Sequence, residues 1–339
     1  MYAGKEKITA EDLRNYELYS PENFRKMDSE EQERWLRAPI IVKNNRERVT
    51  INFYRALEYA EKTGAYLFRW QGKCSRWEGK PKYNDIDGVM QDPAFWEIFV
   101  AGGPCYLNET ISKTRRLCNG TRGKYHSMVL SDDNYKEFKF QSQNGKTVIT
   151  LSSEPVGINV LIEDENVIKP INWKGFKNYD TKKTKGETII VPIKSTQFQN
   201  GTKPMPIVPE NVLLQPCRVK IGFIFPIQPG FAITVDKAQG QTLERVIVAL
   251  SERDHKISNF TYACVYVAMS RVKLAQHLQI LLKKDSNPWK SWQTLMYVDN
   301  LRKEASIDAF FDGFNANRSD WKNDEWNAHK ALKYYFNKS

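Results

Sequence analysis

The chain has 339 residues, of which 41% are hydrophobic, so it is long enough for about two or three compact units with buried cores. Lysine and arginine outnumber aspartate and glutamate by 51 to 40, the formal charge is +11, and 12% of the residues are aromatic. This balance favours nucleic acid as the partner, because basic side chains replace condensed counterions and aromatic rings stack on bases; a merely soluble basic protein is the alternative.

Cysteine usage and hydropathy exclude further classes of protein. The five cysteines are scattered, and no two have the close spacing of a zinc site or a redox pair, so we expect reduced thiols and no metal site. The N-terminus has no apolar signal-peptide core, and no apolar run approaches the roughly 20 residues that span a bilayer. The chain is therefore predicted to be soluble and intracellular, nuclear or cytoplasmic, without a membrane partner.

The N-terminal third predicts a lead-in followed by an α/β segment. Residues 1–37 are polar and charged, with capping-like helix starts at Thr9 and Asp28. An apolar run at residues 38–42 predicts a buried strand, apolar spacing at 49–60 predicts a helix that ends at Gly64, and residues 65–70 predict a second strand. This βαβ pattern favours a parallel sheet.

The middle of the chain predicts antiparallel structure. Asn119 and Gly120 form a dipeptide that is favoured in two-residue hairpin turns. A small antiparallel barrel or sandwich, inserted between two α/β segments, is predicted by short strand-like runs separated by polar turns, at residues 126–130, 147–151, 157–162 and 188–193.

A basic and aromatic stretch at residues 169–185 precedes the last of these runs. Its lysines alternate with Trp173, Phe176 and Tyr179. Two interpretations stay open: a surface for single strands that uses Lys182, Lys183 and Lys185, or a solvated loop.

The most informative part of the sequence is residues 230–250. An apolar run enters a polar turn around Gly240, and a second apolar run leaves it, which predicts polar groups at the carboxyl edge of a parallel sheet, where α/β proteins bind ligands. Residues 266–271 predict the end of a helix, with the guanidinium of Arg271 facing the same edge. Beyond residue 284, apolar residues recur at roughly helical spacing, which predicts a helical extension packed on the main body.

Four segments, in order, resemble motifs of superfamily 1B DNA helicases. AITVDKAQGQTLERVIVAL (residues 232–250) resembles motif V, and YVAMSRV (266–272) resembles motif VI. APIIVKNNRERVTIN (38–52) is similar to motif IV, and AGGPCYLNETISKTRRLCNGTRGK (101–124) resembles the entry to the small β-barrel insert of that family. The similarity is to the petite-integration-frequency helicases and their Helitron-transposon relatives.

The resemblance implies a fold, a domain plan and partners. It implies an α/β, RecA-like second helicase domain of the P-loop-NTPase type, with a parallel sheet, at residues 38–105 and 217–284. A small antiparallel β-barrel insert would occupy residues 106–216 and a helical extension residues 285–339, after the lead-in at residues 1–37. ATP and Mg²⁺ would be shared with a first RecA-like domain, in cis or in trans, and single-stranded DNA would be the other partner.

The resemblance also implies roles for single residues. Arg271 matches the motif VI arginine that reaches the γ-phosphate, a role that suits a permanently charged, bidentate group; a helix-end salt bridge is the alternative. Asp236 stands where the family usually has histidine, and a carboxylate there would repel a DNA phosphodiester. In motif V the implied nucleotide contacts are Lys237, Gln239, Gly240, Gln241 and Glu244, and the implied DNA-phosphate contacts are Thr234 and Thr242.

Further DNA contacts are implied in motif IV, at Asn44, Asn45 and Arg46, and at the insert, at Asn119, Arg122 and Lys124. An N-cap role for Asn45 is an open alternative, because asparagine is a favoured N-cap. The residues of the insert either touch DNA or only form the turn.

A complete motor also needs a Walker A loop, Gly-x-x-x-x-Gly-Lys-Ser/Thr. The one Gly-Lys-Thr, which begins at Gly145, has Phe140 in place of the first glycine and follows no predicted buried strand, and no Walker B strand precedes motif IV. We therefore expect the C-terminal half of an ATP-dependent DNA helicase, with the 5′-to-3′ direction that the resemblance implies, and we expect it to be inactive without a first RecA-like domain. The alternatives are a non-motor single-stranded nucleic-acid-binding module and an inactive mobile-element remnant.

Overall fold

The structure is a computed structural model. It describes residues 8–71, 73–78, 93–114, 116–162, 189–194, 205–207, 217–222, 225–251, 259–283 and 292–301. The predicted contacts at Lys182, Lys183 and Lys185, and most of the predicted helical extension, lie outside these ranges. Within them, no helix is both long and apolar enough to cross a bilayer.

The chain alternates between helices and strands. The α-helices are α1 (Ala10–Arg14), α2 (Pro21–Lys26), α3 (Ser29–Arg37), α4 (Asn45–Thr63), α5 (Asp132–Gln143), α6 (Val235–Ala238) and α7 (Tyr262–Met269). The strands are β1 (Glu17–Leu18), β2 (Ile40–Val42), β3 (Leu67–Gln71), β4 (Lys73–Glu78), β5 (Trp96–Val100), β6 (Pro104–Leu107), β7 (Arg122–Val129), β8 (Val148–Leu151), β9 (Gly157–Ile162), β10 (Ile189–Lys194), β11 (Met205–Ile207), β12 (Cys217–Gly222), β13 (Ile227–Pro229), β14 (Ala232–Thr234), β15 (Val246–Ala249) and β16 (Leu278–Leu281).

Capping side chains set the starts of the first helices. Thr9 and Asp12 form a capping box at α1, in which each side chain accepts a hydrogen bond from the other residue's backbone N–H. Asp28 caps α3 by accepting a hydrogen bond from the Glu31 N–H at 2.8 Å. A side-chain oxygen thus satisfies an N–H that has no partner within the helix, and both predicted starts are confirmed.

Helix α4 begins one residue earlier than an Asn45 cap would require. Asn44 is the N-cap, because its Oδ1 accepts the Glu47 N–H at 2.9 Å. Asn45 is the first helical residue, and its Oδ1 accepts a hydrogen bond from Arg48 instead. The alternative of an N-cap at Asn45 is therefore wrong by one position, whereas the predicted end at Gly64 is confirmed, with a φ of 69°.

The buried face of α4 contains polar groups with specific partners. Asn52 pairs with the backbone of Ala232 as a neighbouring strand would: its Nδ2 donates to the carbonyl at 3.1 Å, and its Oδ1 accepts the N–H at 2.8 Å. Arg55 donates to the carbonyls of Trp35 and Leu36 at the end of α3. The helix is thus tied by side-chain hydrogen bonds to both α3 and β14.

Contacts divide the chain into two units. The first unit comprises Met1–Met27, Ile41–Lys43 and Ala238–Ser339, and the second comprises Asp28–Ile40 and Asn44–Lys237. The domain boundaries predicted at residues 105 and 216 do not coincide with this division and stay a prediction.

The first unit contains a parallel sheet. Four of its strands follow the order β1–β16–β15–β2, and β16 pairs in parallel with both β1 and β15. Val246, Ile247 and Val248 are consecutive and fully buried, as is typical of a parallel strand that is covered on both faces. The predicted α/β class with a parallel sheet is confirmed.

The second unit is built mainly from antiparallel strands. One sheet has the order β10–β9–β7–β6–β13 and is antiparallel throughout. A second has the order β5–β3–β8, in which β3 is antiparallel to β5 and parallel to β8, and a third has the order β11–β12–β4. Closure of these strands into a small barrel stays a prediction.

One hydrophobic core joins the first two of these sheets. Trp70, Phe99 and Ile149 come from the sheet around β3, and Tyr125 and Val160 from the sheet around β7; all belong to one cluster of buried residues. The second unit is therefore stabilised by side chains on both sides of the boundary predicted at residue 105.

Three predictions of local structure are wrong. Strands β2 and β3 flank α4 but lie in different sheets, so they do not form a βαβ unit of one sheet. The polar segment before β8 is not a turn but α5, capped by Ser131. Asn119 and Gly120 do form a turn, in which the Thr121 N–H donates to the Cys118 carbonyl at 3.0 Å, but it lies inside the longer connection between β6 and β7.

Candidate functional site

The turn that contains Gly240 begins directly after α6. The Gln241 N–H donates to the Ala238 carbonyl at 3.1 Å, and Gly240 has a φ of 78°, in the left-handed region that favours glycine. A Cβ at Gly240 would meet nothing within 4 Å, so the backbone conformation and not the available space requires glycine. Close approach of a ligand to Gly240 stays a prediction.

Arg271 is bound to this turn by its side chain and its backbone. Its Nη1 donates to the Gln241 carbonyl at 3.1 Å, and the Arg271 carbonyl accepts the Leu243 N–H at 2.8 Å. Its Nε donates to the Val267 carbonyl at 2.7 Å, and its Nη2 to the Ser270 hydroxyl at 2.6 Å. The residues that resemble motifs V and VI are thus in direct contact, and Arg271 also binds the last turn of α7.

The position of this contact in the sheet differs from the prediction. The turn follows β14 in the chain, but Gln241 and Leu243 lead into β15, and Arg271 precedes β16. The contact therefore lies at the amino-terminal side of two parallel strands, and the carboxyl edge predicted from the sequence does not describe it.

Other polar residues of the turn face solvent. Gln239, Thr242 and Glu244 are exposed, and Asp236 is exposed as well. The Glu244 carboxylate forms an ion pair with the neighbouring Arg245 at 2.8 Å. The structure thus brings Gln241, but not Glu244, into hydrogen-bonding contact with Arg271.

Lys237, in the second unit, has a different environment. Its ammonium donates to Asn108 Oδ1 at 3.1 Å and lies 5.9 Å from the centre of the Tyr106 ring. Burial, and then the positive charge of Arg48, lower the pKa of Lys237 from 10.5 to about 8. Thr234, the last residue of β14, is partly buried.

Arg122 is linked to Lys237 and Asn108 through Tyr106. The two residues are directly opposite in the pair of β6 and β7. Burial raises the pKa of Tyr106, and Arg122, which hydrogen-bonds to the phenol, opposes that shift. Arg48, Arg122 and Lys237 therefore form a basic cluster around Tyr106 and Asn108, of which the sequence predicted Arg122 and Lys237 as binding residues.

The remaining predicted contacts have mainly structural surroundings. The side-chain oxygen of Asn44 caps α4, Asn45 is exposed and binds Arg48, and Arg46 is partly buried. Asn119 is exposed at its turn, and Lys124 is partly buried on β7. Gly145, the glycine of the Gly-Lys-Thr sequence, comes just after α5 and has a φ of 71°. It follows no strand, as predicted.

The guanidinium of Arg271 has N–H groups that could bind an anion. Three of the five N–H donors of a guanidinium hold it in place, so two can bind an anion. Among the described residues, no group of three or more His, Cys, Asp or Glu side chains could hold a metal ion.

Comparison with known proteins gives one kind of match. A scan against family models found no matching family, and a search of curated proteins found no matching protein. Solved structures of Pif1 helicases align with the chain at 14% identity. For the Candida albicans enzyme the TM-score is 0.43, with 91% of this chain and 55% of that chain covered.

Two Bacteroides structures give similar values. Pif1 bound to ssDNA aligns at 14% identity with a TM-score of 0.39, covering 83% of this chain and 46% of that chain. Pif1 in complex with ADP-AlF3 and ssDNA aligns at 14% identity with a TM-score of 0.36, covering 86% and 53%. The chain thus spans about half the length of these structures. The functional proposal rests on the motifs and on the contacts of Arg271, not on these alignments.

Proposed function

We propose that this chain is the second-domain part of an ATP-dependent DNA helicase of superfamily 1B. Arg271 would stabilise the charge that develops on the γ-phosphate of an ATP held, with Mg²⁺, by a first RecA-like domain in cis or in trans. The turn around Gly240 would take part in the nucleotide site through Lys237, Gln239, Gln241 and Glu244. Single-stranded DNA would be the second partner.

The contact between Arg271 and the Gln241 carbonyl carries this proposal. Two sequence segments that resemble consecutive helicase motifs meet at this one guanidinium. A guanidinium held by three hydrogen bonds is pre-organised, so little reorganisation opposes its action on a developing charge. A helix-end role alone would require only the Val267 contact.

An ATPase assay tests the proposal. The chain alone, with single-stranded DNA and Mg²⁺, is expected not to hydrolyse ATP. Addition of a RecA-like domain with a Walker A loop, as an upstream reading frame would encode, should produce turnover. In that mixture Arg271→Ala should lower kcat by about a thousandfold or more, the range of an arginine finger.

Matched controls separate catalysis from folding. Arg271→Lys keeps the charge but loses the planar fork, so it should stay strongly impaired. DNA affinity of both variants should remain close to that of the wild type, and thermal unfolding reports the stability that is lost with the hydrogen bonds to Gln241 and Val267. Robust turnover by the chain alone, or an active Arg271→Ala mixture, would contradict the proposal.

A second candidate is a single-stranded nucleic-acid-binding module without motor activity. The basic cluster of Arg48, Arg122 and Lys237 favours it, because neighbouring cations suit the phosphates of a strand. In that case Arg271→Ala leaves DNA affinity unchanged and no added domain produces turnover.

A further inference from the structure

The connection between β6 and β7 contains a small hairpin of its own. Ser112 and Leu117 form an antiparallel bridge, in which the Leu117 N–H donates to the Ser112 carbonyl at 2.9 Å and the Ser112 N–H donates to the Leu117 carbonyl at 3.1 Å. Residues 113–116 are the tip of this hairpin. The Arg116 N–H closes the tip by donating to the Lys113 carbonyl at 3.1 Å.

The hairpin is anchored in the second unit. The Leu117 side chain is fully buried and belongs to the hydrophobic core that joins two of the sheets. Thr121 holds the chain after the tip, because its hydroxyl donates to the Arg116 carbonyl at 3.3 Å and accepts the Cys118 N–H at 3.0 Å. The tip thus has a fixed support, so a partner that binds it does not have to order the loop first.

Arg116 has a backbone conformation that is unusual for an arginine. Its φ is 60°, and it is the one non-glycine residue with a positive φ in the described part of the chain. In this left-handed region the Cβ of an arginine is crowded, whereas glycine carries no such penalty. The turn by itself would therefore favour glycine at position 116. A larger residue that is kept in such a conformation indicates a function for its side chain.

The tip combines positive charge with exposure. Lys113, Thr114 and Arg116 are exposed. Neither the Lys113 ammonium nor the Arg116 guanidinium has an ion pair or a hydrogen bond with any residue that the structure describes. The two residues are the first and last of one four-residue turn, so their Cα atoms lie within about 7 Å of each other. Arg115 adds a third positive charge to the sequence of the tip and lies outside the described residues.

The chemistry of the tip suits phosphates and not bases. Ammonium and guanidinium groups bind phosphate oxygens, and a threonine hydroxyl is a further donor. Sites for single strands also contain aromatic rings on which bases stack. Residues 108–121 contain no aromatic residue, and their one acidic residue, Glu109, precedes the tip. The tip therefore matches a nucleic acid whose bases are already paired and whose phosphates are exposed.

We propose that the tip at residues 113–116 binds the phosphate backbone of double-stranded nucleic acid, with Lys113 and Arg116 on neighbouring phosphates. The contact reads no sequence, because phosphates carry no sequence information. The net charge of +11 favours a polyanion of this kind over a protein with one acidic patch. This inference goes beyond the proposed function, whose nucleic-acid partner is a single strand, and it depends neither on ATP nor on Arg271.

Binding of a short blunt DNA duplex to the full chain, measured by fluorescence anisotropy, tests the inference. Arg116→Gly removes the guanidinium and suits the left-handed backbone, so its melting temperature should stay close to that of the wild type. Its duplex affinity at about 0.1 M salt should fall roughly five- to tenfold, and its logarithmic salt slope should fall by about 0.9, the value for one phosphate. Lys113→Gln should have the same effect on affinity and slope.

Three controls separate the tip from net charge and from binding of single strands. Arg116→Lys keeps the positive charge and should keep most of the duplex affinity. Lys146→Gln removes an exposed charge of the same unit outside the tip, and it should change duplex affinity by less than about twofold. One strand of the duplex, used as a single-stranded probe, should bind Arg116→Gly and Lys113→Gln nearly as well as it binds the wild type.

Three outcomes overturn the inference. Unchanged duplex affinity in either Arg116→Gly or Lys113→Gln assigns the tip to solvent or to an acidic protein. Equal losses for the single strand and the duplex remove the assignment to paired nucleic acid. A wild-type chain that binds no duplex at all contradicts the inference outright. None of these results changes the ATPase assay of Arg271, by which the proposed function is judged.

Discussion

Lys237 loses its proton more readily than an ordinary lysine. Burial and the charge of Arg48 lower its pKa from 10.5 to about 8. Below pH 8 the amine is charged in both the folded and the unfolded chain, and above pH 10.5 it is neutral in both. Between these values the unfolded chain binds more protons, so the contribution of Lys237 to stability rises with pH across this window.

Competitive acylation across pH tests this shift. The reactive form of a lysine is the neutral amine, so labelling of Lys237, followed by mass spectrometry, should rise with a midpoint near pH 8. Arg48→Gln should move that midpoint upward, because it removes the second cause of the shift. Lys146, which is exposed after α5, serves as the internal reference. Identical pH profiles for the two lysines would show that the pKa of Lys237 is not lowered.

At the level of elements, the start, the end and the buried face of α4 in the second unit are each fixed by identifiable residues. Asn44 caps its start, Gly64 ends it in the left-handed conformation, and Asn52 and Arg55 tie it to β14 and α3. The apolar period of the sequence predicts the helix and its end. It does not predict the two polar residues on the buried face, because their partners are backbone groups of elements far away in the chain.

The two adjacent asparagines at the start of α4 allow a matched comparison. Asn44→Ala should lower the free energy of unfolding by about 1 kcal/mol, because the Glu47 N–H loses its acceptor. Asn45→Ala should change it by less than about 0.5 kcal/mol, since the side chain is exposed and caps nothing. Denaturant unfolding measures both, and Asn44→Asp should restore stability. A larger loss from Asn45→Ala would reverse the assignment of the cap.

Strand positions in the middle of the chain are predictable because each strand is a short apolar run between polar turns. The sheet that a strand joins is not predictable in this way, since β2 and β3 both follow from local strand signals yet lie in different sheets. Helix α5 has no apolar period, and Asn134 is its one buried residue. Its sequence signal is the cap at Ser131 followed by Asp132 and Asp133.

For the whole molecule, the charge of +11 governs association with polyanions. Affinity for single-stranded DNA should fall with salt, with a logarithmic slope of about 0.7 for each phosphate that is neutralised. Charge reversal at Lys182, Lys183 and Lys185 should weaken binding and flatten that slope by about 2. A salt series of binding isotherms measures both effects.

A control triple keeps the change in net charge the same. Lys26→Glu, Lys62→Glu and Lys136→Glu replace exposed lysines outside the proposed contacts. If both triples flatten the slope equally, net charge alone acts, and the stretch at residues 169–185 has no special role.

The sequence predicts only some of the residues of the candidate site. Motif resemblance selects Gly240 and Arg271, and both lie at the same turn. The basic cluster is different, because Arg48, Arg122 and Lys237 are separated by tens of positions and share no local pattern. Only the pairing of β6 with β7 and the packing of α4 on β14 bring them together.

The pairing of Asn52 with Ala232 has a mechanical consequence. If α4 shifted along β14 by one residue, a buried donor and a buried acceptor would lose their partners, at a cost of about 1–3 kcal/mol for each group. Helix α4 and strand β14 are therefore held in one register. Arg48 lies one turn before Asn52, and Lys237 follows β14 by a few residues. The pairing therefore keeps the segments that carry these two cations in a fixed spatial relation.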